Sequence, residues 1–322
     1  MRKNHYTMIA RSLIREAIDG FGVDSSDHIG IGVSGGADSS ALLIGISKLY
    51  RAERASQIHV LIVDHQLQEE TANVSRTVAD HAVSLGFTAH ILPVNISETS
   101  KGAEYDARIS RYEAFEAIRE SENLKAILLG HTKSDQAEQV FLGLLRGSGT
   151  RSLAGIRAVR DHYLRPFLNG LDRSGTESVC VENEYSYWSD PHNDLTKYRR
   201  VSIRQMISTV EKETGQSIVD PLVRTAKISS EDADALDYFT ELNFEIAEET
   251  RWSTKFLEGL PVAIRKRLYR KKMLTLGAPT DSLIFELVER IDLFLTDWKG
   301  QGEVCFSGNH RVGRAESRIF FE

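Results

Sequence analysis

The chain has 322 residues, 41% of them hydrophobic, and this length predicts two domains, each with its own core. Its net charge of -6 excludes a basic coat over the whole surface, although it allows a local basic patch. No apolar run reaches the roughly 18 residues of a membrane-spanning helix, and the two cysteines form no CxxC pair, so we expect a cytoplasmic protein with no membrane partner and no disulfide framework.

The first two-thirds of the chain alternates strand and helix patterns. An amphipathic helix covers the first 22 residues and carries acidic as well as basic side chains, unlike a targeting segment. The apolar runs HIGIGVS, IHVLIVDH, TAHILPVN and KAILLGH predict buried strands, and helical spacing covers about 39–51, 70–85, 104–120 and 135–145. This alternation predicts an α/β fold, a parallel sheet with helices on both faces, in which ligands bind at the carboxyl ends of the strands.

The last third has a different pattern. The strand rhythm stops near residue 216 and long helical patterns follow, before alternating runs close the chain around Ser307, Gly308 and Asn309. We therefore expect an α/β domain at 1–216 and a smaller, mainly helical domain at 217–322 that ends in a β-hairpin.

Charge is segregated along this second domain. Residues 221–250 carry eight acidic and two basic side chains, and we name no partner for them. Residues 251–272 carry eight basic side chains against one acidic. The basic segment predicts a nucleic-acid contact, with a solvated helix face as the alternative.

The stretch SGGADS, Ser34 to Ser39, lies between the first predicted strand and a helix that begins near Ser39. Its glycines allow a tight turn whose N–H groups approach an anion, and the helix N-terminus and serine hydroxyls add donors. Asp38 would repel a bare phosphate, so we expect it to hold Mg²⁺ that also binds phosphate oxygens. The alternative is an ordinary turn in which Asp38 caps the helix.

The sequence does not fit two other phosphate-binding loops, the dinucleotide-binding loop and the P-loop. Gly30, Gly32 and Gly35 match the dinucleotide pattern GxGxxG, but Gly30 and Gly32 fall inside the strand. The nearest acidic candidate for that pattern, Glu53, lies in a helical tail rather than at a strand end. The P-loop pattern fails because no lysine follows the glycines.

SGGADS is similar to the PP-motif of the N-type ATP pyrophosphatases. Those enzymes cleave ATP to AMP and pyrophosphate while they adenylate a carbonyl oxygen. The resemblance implies that ATP and Mg²⁺ are used, and that Asp38 is catalytic and the metal-holding residue. The loop residues expected to bind ATP are Ser34, Gly35, Gly36, Ala37, Asp38 and Ser39.

A second stretch indicates which family within this superfamily the chain resembles. GHTKSDQAEQVFLGLLRGSGTRSLAG resembles the signature of the tRNA(Ile)-lysidine synthetase family, and VDHQL, ARISRY, LRPF, YWSDPHN and YRRVSIR extend the likeness over nearly the whole chain. The chain departs from the family at Ser134, where a second aspartate is frequent, and at Val201, where asparagine is frequent. It resembles a short form without the extra C-terminal domain of longer members.

Asp135 and Glu138 are three residues apart, so a helix places both carboxylates on one face. Two acids there can hold an ammonium group and accept its proton. The resemblance implies that they bind the ε-amino group of free L-lysine and that both are catalytic. The alternative is a solvated helix face.

Basic and histidine side chains complete the expected site. Gly147 predicts a helix end, whereas Arg146 and Arg151 around it also suit RNA phosphates. The resemblance implies a catalytic role for Arg200 at the reacting nucleotide. We expect ATP contacts from Asp64, His65, Arg108, Arg111 and His131, and tRNA contacts from Arg146, Arg151, Arg200, Arg204, Arg265, Lys266 and Arg267.

The implied reaction has two steps: ATP adenylates C2 of the wobble cytidine in the CAU anticodon of isoleucine tRNA, and lysine then displaces AMP to give lysidine. A tRNA 2-thiolation enzyme would require reactive or cluster-binding cysteines, whose spacing is missing here. A small-molecule amide synthetase would not account for the LLRGSG stretch or the basic segment. A catalytically inactive RNA-binding module would not be expected to keep Asp38 and the carboxylate pair. The sequence leaves the oligomeric state open, with a homodimer as one state to consider.

Overall fold

The computed structural model describes residues 4–50, 52–64, 69–94, 102–188, 199–246, 250–278, 283–306 and 310–322. The chain divides into two compact units, Met1–Ile228 and Ser229–Glu322. The division falls inside a long helix, and the functional boundary predicted near residue 216 stays a prediction. In the described part of the chain, no helix is both long and apolar enough to cross a membrane.

The first unit is built on a six-stranded sheet. Its strands are β1 (His28–Gly32), β2 (Ile58–Asp64), β3 (Thr88–Pro93), β4 (Leu124–Leu129), β5 (Val159–Arg160) and β6 (Tyr163–Leu164). The order is β3-β2-β1-β4-β6-β5, and all neighbours are parallel except the β5–β6 pair. The predicted parallel α/β sheet is confirmed, with β5 and β6 as additions that are too short to show a periodic pattern.

The helices of this unit lie on both faces of the sheet, as predicted. They are α1 (His5–Phe21), α2 (Ala37–Leu49), α3 (Glu69–Ser84), α4 (Ala103–Ser121), α5 (Lys133–Leu145), α6 (Thr150–Leu153), α7 (Arg173–Glu182) and α8 (Arg199–Thr214). Side chains from α1, α2, α3 and α7 pack against one face, which buries Ile29 and Ile31. Phe115 of α4 packs on the opposite face with Leu61 and Ile127.

The glycines inside β1 are packing residues. A Cβ at Gly30 would lie 3.1 Å from side-chain atoms of Leu61 and Leu124, and one at Gly32 would lie 2.9 Å from Leu129. Phe115 of α4 also approaches the Gly32 position to 3.1 Å. These contacts account for the accidental GxGxxG pattern and confirm that the two glycines belong to the strand.

Glu182, at the end of α7, caps the N-terminus of α1. Its carboxylate accepts hydrogen bonds from the backbone N–H groups of Tyr6 and Thr7 at 3.0 and 2.8 Å, and from the Thr7 hydroxyl at 2.7 Å. Although burial opposes ionisation, these hydrogen bonds lower the pKa of Glu182. The contact fixes α7, a helix the sequence did not predict, against the rest of the unit.

The second unit combines helices with a four-stranded antiparallel sheet. Its elements are α9 (Val219–Ile246), which begins in the first unit, β7 (Arg251–Ser253), α10 (Thr254–Glu258), α11 (Val262–Thr275), α12 (Leu283–Thr296), β8 (Val304–Cys305), β9 (Arg311–Ala315) and β10 (Arg318–Phe321). The strand order is β7-β10-β9-β8.

The predicted helical character and terminal antiparallel pairing of this unit are confirmed. A hairpin joins β9 to β10, whereas the predicted turn at Ser307, Gly308 and Asn309 lies outside the described residues. The sequence did not predict β7, because its three residues acquire strand character only by pairing with β10.

Candidate active site

The carboxyl edge of the parallel sheet gathers the predicted ligand-binding residues. Ser34 follows β1, Asp64 ends β2, and Gly130 and His131 follow β4. Since β1 lies between β2 and β4, the Ser34–Ser39 loop occupies the centre of this edge. His65, predicted beside Asp64, lies outside the described residues.

The loop is fixed by its own small side chains. Gly35 has a φ of 86°, which favours glycine, and a Cβ there would lie 2.7 Å from a methyl group of Val74. The Ser39 hydroxyl accepts from the Ser34 N–H at 3.1 Å and donates to the Gly36 carbonyl at 3.0 Å. The Trp188 N–H donates to the Gly35 carbonyl at 2.9 Å. The loop is therefore set before any anion binds.

The helix after the loop begins at Ala37, two residues earlier than predicted. Gly36 is its N-cap residue, so the alternative in which Asp38 caps the helix is wrong. Because Gly36 has no side chain to satisfy the first N–H groups of α2, these donors and the positive helix end suit a phosphate. Asp38 lies in that first turn.

Gly130 lets β4 approach the start of α2. A Cβ at this position would lie 2.9 Å from the carbonyl oxygen of Asp38 and 3.1 Å from the Cα of Ser39. Backbone atoms cannot move aside as a flexible side chain can, so any larger residue would displace the loop. Close packing thus requires glycine at position 130, at the end of β4.

Asp38 is a largely buried carboxylate. The hydroxyl of Thr176 donates to its Oδ1 at 2.5 Å, and no described basic side chain forms an ion pair with it within 4.0 Å. The pKa of Asp38 is raised to about 6, chiefly by burial and also by the charge of Asp135, against the lowering effects of the Thr176 hydrogen bond and the charges of Arg173 and Arg204.

Asp135 and Glu138 lie near Asp38 at the start of α5. Asp135 Oδ2 accepts from the N–H and hydroxyl of Thr132, at 2.8 and 3.1 Å. Glu138 is 4% exposed, and its Oε1 accepts from Nε of Arg204 at 2.8 Å. The solvated-face alternative is therefore wrong for Glu138.

The guanidinium of Arg204 is the cation of this acidic group. Burial works against its charge, but its hydrogen bond to Glu138 and the charges of Glu138, Asp135 and Asp38 raise the pKa of Arg204. Asp38, Asp135 and Glu138 thus all stabilise the charged form of Arg204. Arg200 is the second residue of α8, one turn before Arg204, and its side chain lies outside the described part of the structure.

The arginines predicted to bind ATP lie on α4. Arg108 and Arg111 are both exposed, and the Arg108 guanidinium lies 5.1 Å from the centre of the Tyr112 ring. Their spacing of three residues places them on one helical face. Their contact with nucleotide phosphates stays a prediction.

The LLRGSG stretch ends α5 as predicted. Gly147 has a φ of 63°, its N–H donates to the Leu144 carbonyl at 3.0 Å, and the Ser148 N–H donates to the Gly143 carbonyl at 3.1 Å. This is a Schellman motif, which satisfies the last carbonyls of the helix. Arg146 at the C-cap is exposed, whereas Arg151 in α6 is only partly exposed.

The basic segment 251–272 is neutralised in large part by acids of its own unit. Arg265 is 8% exposed and forms a bidentate pair with Asp292 at 2.6 and 2.9 Å. Further pairs among the described residues are Arg251 with Glu322, Lys266 with Glu289, Arg267 with Asp237 and Lys271 with Glu241. Asp237 and Glu241 belong to the acidic segment 221–250, so two of its acids have partners in the basic segment.

The helix α7 also belongs to the site, although no pattern in its sequence indicates this. Thr176 is fully buried against Asp38, and Cys180 donates weakly to the Ala37 carbonyl at 3.6 Å. These side chains reach the loop only through the packing of α7 on α2. No local pattern around DRSGTES distinguishes this helix from an ordinary surface helix.

The donor set at the loop fits a magnesium ion. Mg²⁺ takes oxygen ligands and is usually held by one or two carboxylates together with substrate phosphates. Asp38 supplies such a carboxylate, and Asp135 lies close enough to affect its charge. Among the described residues no group of three or more His, Cys, Asp or Glu could hold a metal ion. A magnesium ion held by Asp38 would therefore take its other ligands from water and from substrate phosphates.

The glycine loop with its aspartate, at the carboxyl edge of a parallel sheet, defines a PP-loop ATP pyrophosphatase fold. The family model described as PP-loop domain matches residues 6–211. A tRNA(Ile)-lysidine synthase from Thermobifida fusca is 36% identical over 315 residues, which cover 97% of this chain and 96% of the relative. Another from Streptomyces coelicolor is 35% identical over 308 residues, which cover 92% and 86%. The chain belongs to the tRNA(Ile)-lysidine synthase family, and the resemblance inferred from its sequence is confirmed.

A solved structure supports the fold alone. The U34-tRNA thiolase NcsA from Methanococcus maripaludis, determined with its 4Fe–4S cluster, aligns with a TM-score of 0.56 at 13% identity. The alignment covers 70% of this chain and 80% of that chain.

We predict that Asp38→Asn stabilises the metal-free protein. The folded-state pKa of about 6 exceeds the ordinary value of 3.8, so ionised Asp38 lowers stability as the pH rises through this window. At pH 8 the gain in the free energy of unfolding should be roughly 1–3 kcal/mol, and it should shrink as the pH falls below about 6.

Urea denaturation with EDTA at several pH values measures this effect. The control is Asp80→Asn, because Asp80 is an exposed helical aspartate. An Asp38→Asn variant that is no more stable than wild type at pH 8 would contradict the burial of an unpaired charge at the loop.

For Arg265 we predict a structural effect. Arg265→Met leaves Asp292 buried without its partner and should lower the free energy of unfolding by about 3 kcal/mol. The double variant Arg265→Met with Asp292→Leu should recover most of that loss.

The salt dependence of tRNA binding should be the same in the double variant and wild type, because the Arg265 guanidinium is bound to Asp292. A smaller salt slope would instead assign Arg265 to the tRNA contact.

Proposed function

We propose that this chain ligates L-lysine to C2 of the wobble cytidine in the CAU anticodon of isoleucine tRNA, with ATP cleaved to AMP and pyrophosphate. The observation that carries the proposal is the grouping of Asp38, Asp135 and Glu138 around Arg204, beside an anion-binding loop. One part of this site suits nucleotide phosphates and the other suits an ammonium group. The cytoplasm, which contains tRNA, ATP and free lysine, is the expected compartment.

The first step adenylates the cytidine. N–H groups of Gly36 and the first turn of α2 face the phosphates, while Ser34 and Ser39 hold the loop in shape. The C2 carbonyl oxygen attacks the α-phosphorus, the α–β phosphoanhydride bond breaks, and pyrophosphate leaves. Mg²⁺, when bound, neutralises charge on the pyrophosphate, and Asp38 is the residue that would hold it.

The second step joins lysine to the base. Asp135 and Glu138 attract the lysine ε-ammonium, and a carboxylate accepts a proton as the amine becomes a nucleophile. The amine adds to C2, the bond from C2 to the adenylate oxygen breaks, and AMP leaves. Arg204 and Arg200 are the cations we assign to the developing negative charge near the nucleotide.

The wobble base must leave the anticodon stack to reach this site, which single-stranded loops allow at modest cost. We assign tRNA phosphate contacts to exposed or partly exposed cations in both units. Among the described side chains these are Arg146, Arg151, Arg204, Lys266 and Arg267, and we assign Arg200 to the same contact on the family resemblance alone. Lys266 and Arg267 form ion pairs near the surface, where exchange for a phosphate costs little. We leave Arg265 out of this set because it is buried against Asp292.

A thiolation reaction is the alternative for a PP-loop enzyme that acts on tRNA. It requires a reactive thiolate, but burial raises the pKa of Cys180 to about 12, so that thiol is unreactive at neutral pH. Cys305 is exposed and lies in the other unit. The cysteines therefore favour the lysine reaction over thiolation.

Partial reactions test the assignment of residues to steps. With unmodified isoleucine tRNA bearing CAU, Asp38→Asn should lose adenylation by at least about hundredfold, because the phosphate-side carboxylate is gone. Glu138→Gln should still adenylate the tRNA but transfer lysine slowly and with a raised KM for lysine. The measurement is release of labelled pyrophosphate and labelled AMP in separate assays.

Matched controls are Asp80→Asn and Glu16→Gln, which change exposed helical carboxylates to amides. Loss of adenylation in Glu138→Gln equal to that in Asp38→Asn would contradict the division of the site into a nucleotide part and a lysine part.

A further inference from the structure

The two carboxylate oxygens of Asp38 have different surroundings. Oδ1 lies 2.5 Å from the hydroxyl oxygen of Thr176. No hydrogen bond from a described residue reaches Oδ2. The protein therefore holds Oδ1, and Oδ2 is available to another ligand.

Thr176 is itself firmly placed. It is fully buried in α7, and that helix is capped by Asp172, whose side chain accepts from the Gly175 N–H at 2.8 Å. The Ser134 hydroxyl accepts from the Arg173 N–H at 3.2 Å, which ties the start of α7 to α5. At the other end of α7, Glu182 caps α1. The hydroxyl of Thr176 thus has a fixed position relative to the loop.

The hydroxyl has two acceptors and one proton. Besides Asp38, the Arg173 carbonyl oxygen lies 2.8 Å away. An ionised carboxylate can only accept, and a hydrogen bond to a charged acceptor is about twice as strong as one to a neutral acceptor. The proton of Thr176 is therefore directed to Asp38 whenever that carboxylate is charged.

We propose that Thr176 is a positioning residue for the metal ligand, whose hydroxyl occupies Oδ1 of Asp38 so that Oδ2 alone is presented to the magnesium of bound ATP. The inference rests on the proposed function, because it takes Mg²⁺ and ATP to bind at this loop. Mg²⁺ requires near-ideal octahedral geometry, whereas Ca²⁺ accepts flexible and bidentate carboxylate binding. A carboxylate held by one oxygen should therefore favour Mg²⁺ over Ca²⁺.

The test compares Thr176→Val, which removes the hydroxyl and keeps the shape, with Thr176→Ser, which restores the hydroxyl. The matched control is Thr240→Val, because Thr240 is 4% exposed and its hydroxyl donates only to the Leu236 carbonyl, at 2.7 Å. Binding of a non-hydrolysable ATP analogue is measured by calorimetry on the full chain over a range of Mg²⁺ concentrations and again with Ca²⁺. Thermal unfolding without metal checks that each variant is folded.

Thr176→Val should raise the Mg²⁺ concentration needed for half-maximal analogue binding about tenfold, with a smaller change for Ca²⁺. Thr176→Ser and Thr240→Val should behave as wild type. Wild-type Mg²⁺ dependence in Thr176→Val would overturn the inference. So would an equal loss in Thr176→Val and Thr176→Ser, because the loss would then come from packing. Failure of the wild type to bind the analogue with Mg²⁺ would instead contradict the proposed function.

Discussion

The site depends on a partly buried carboxylate beside an anion-binding loop. Asp38 lies in the first turn of α2, close to the end of β4, and burial raises its pKa to about 6. A partly buried charge that forms no ion pair with a described residue lowers stability unless a ligand compensates for it. The loop therefore has the properties expected of a site completed by metal and phosphate. Two neighbouring residues accommodate this carboxylate. Gly130 leaves room for the backbone of Asp38 and Ser39, and Thr176 donates a hydrogen bond to Asp38 Oδ1.

Pairs of basic and acidic side chains also neutralise other charged clusters of the molecule. Arg204 offsets Glu138 and its neighbouring acids at the start of α5, where the ammonium group of a substrate would otherwise be the main cation. In the second unit, the basic helix α11 and the acidic part of α9 neutralise each other through Arg267 with Asp237 and Lys271 with Glu241. A run of basic residues in the sequence therefore overstates the positive charge available to RNA, because most of these side chains already have acidic partners.

Local chemistry explains which parts could be predicted from the sequence. The loop was recognisable because glycines and an aspartate follow a buried strand, and the pair Asp135 and Glu138 because helical spacing places them on one face. Thr176 could not be found, because its contact with Asp38 joins residues 138 positions apart and exists only after α7 packs on α2. The burial of Arg265 could not be predicted, because its partner Asp292 lies 27 positions away and nothing in α11 itself indicates burial. The strands β5, β6 and β7, of two or three residues each, depend on pairing rather than on intrinsic propensity.

The central claim is the identity of the modified base and of the nucleophile. The most direct measurement is mass spectrometry of the anticodon-loop fragment from CAU isoleucine tRNA incubated with the wild-type chain, ATP, Mg²⁺ and isotopically labelled lysine. The account predicts that the intact lysine label is found on the wobble cytidine and that its appearance requires ATP. Label at another nucleotide, or an adenylated cytidine that never acquires lysine, would contradict it.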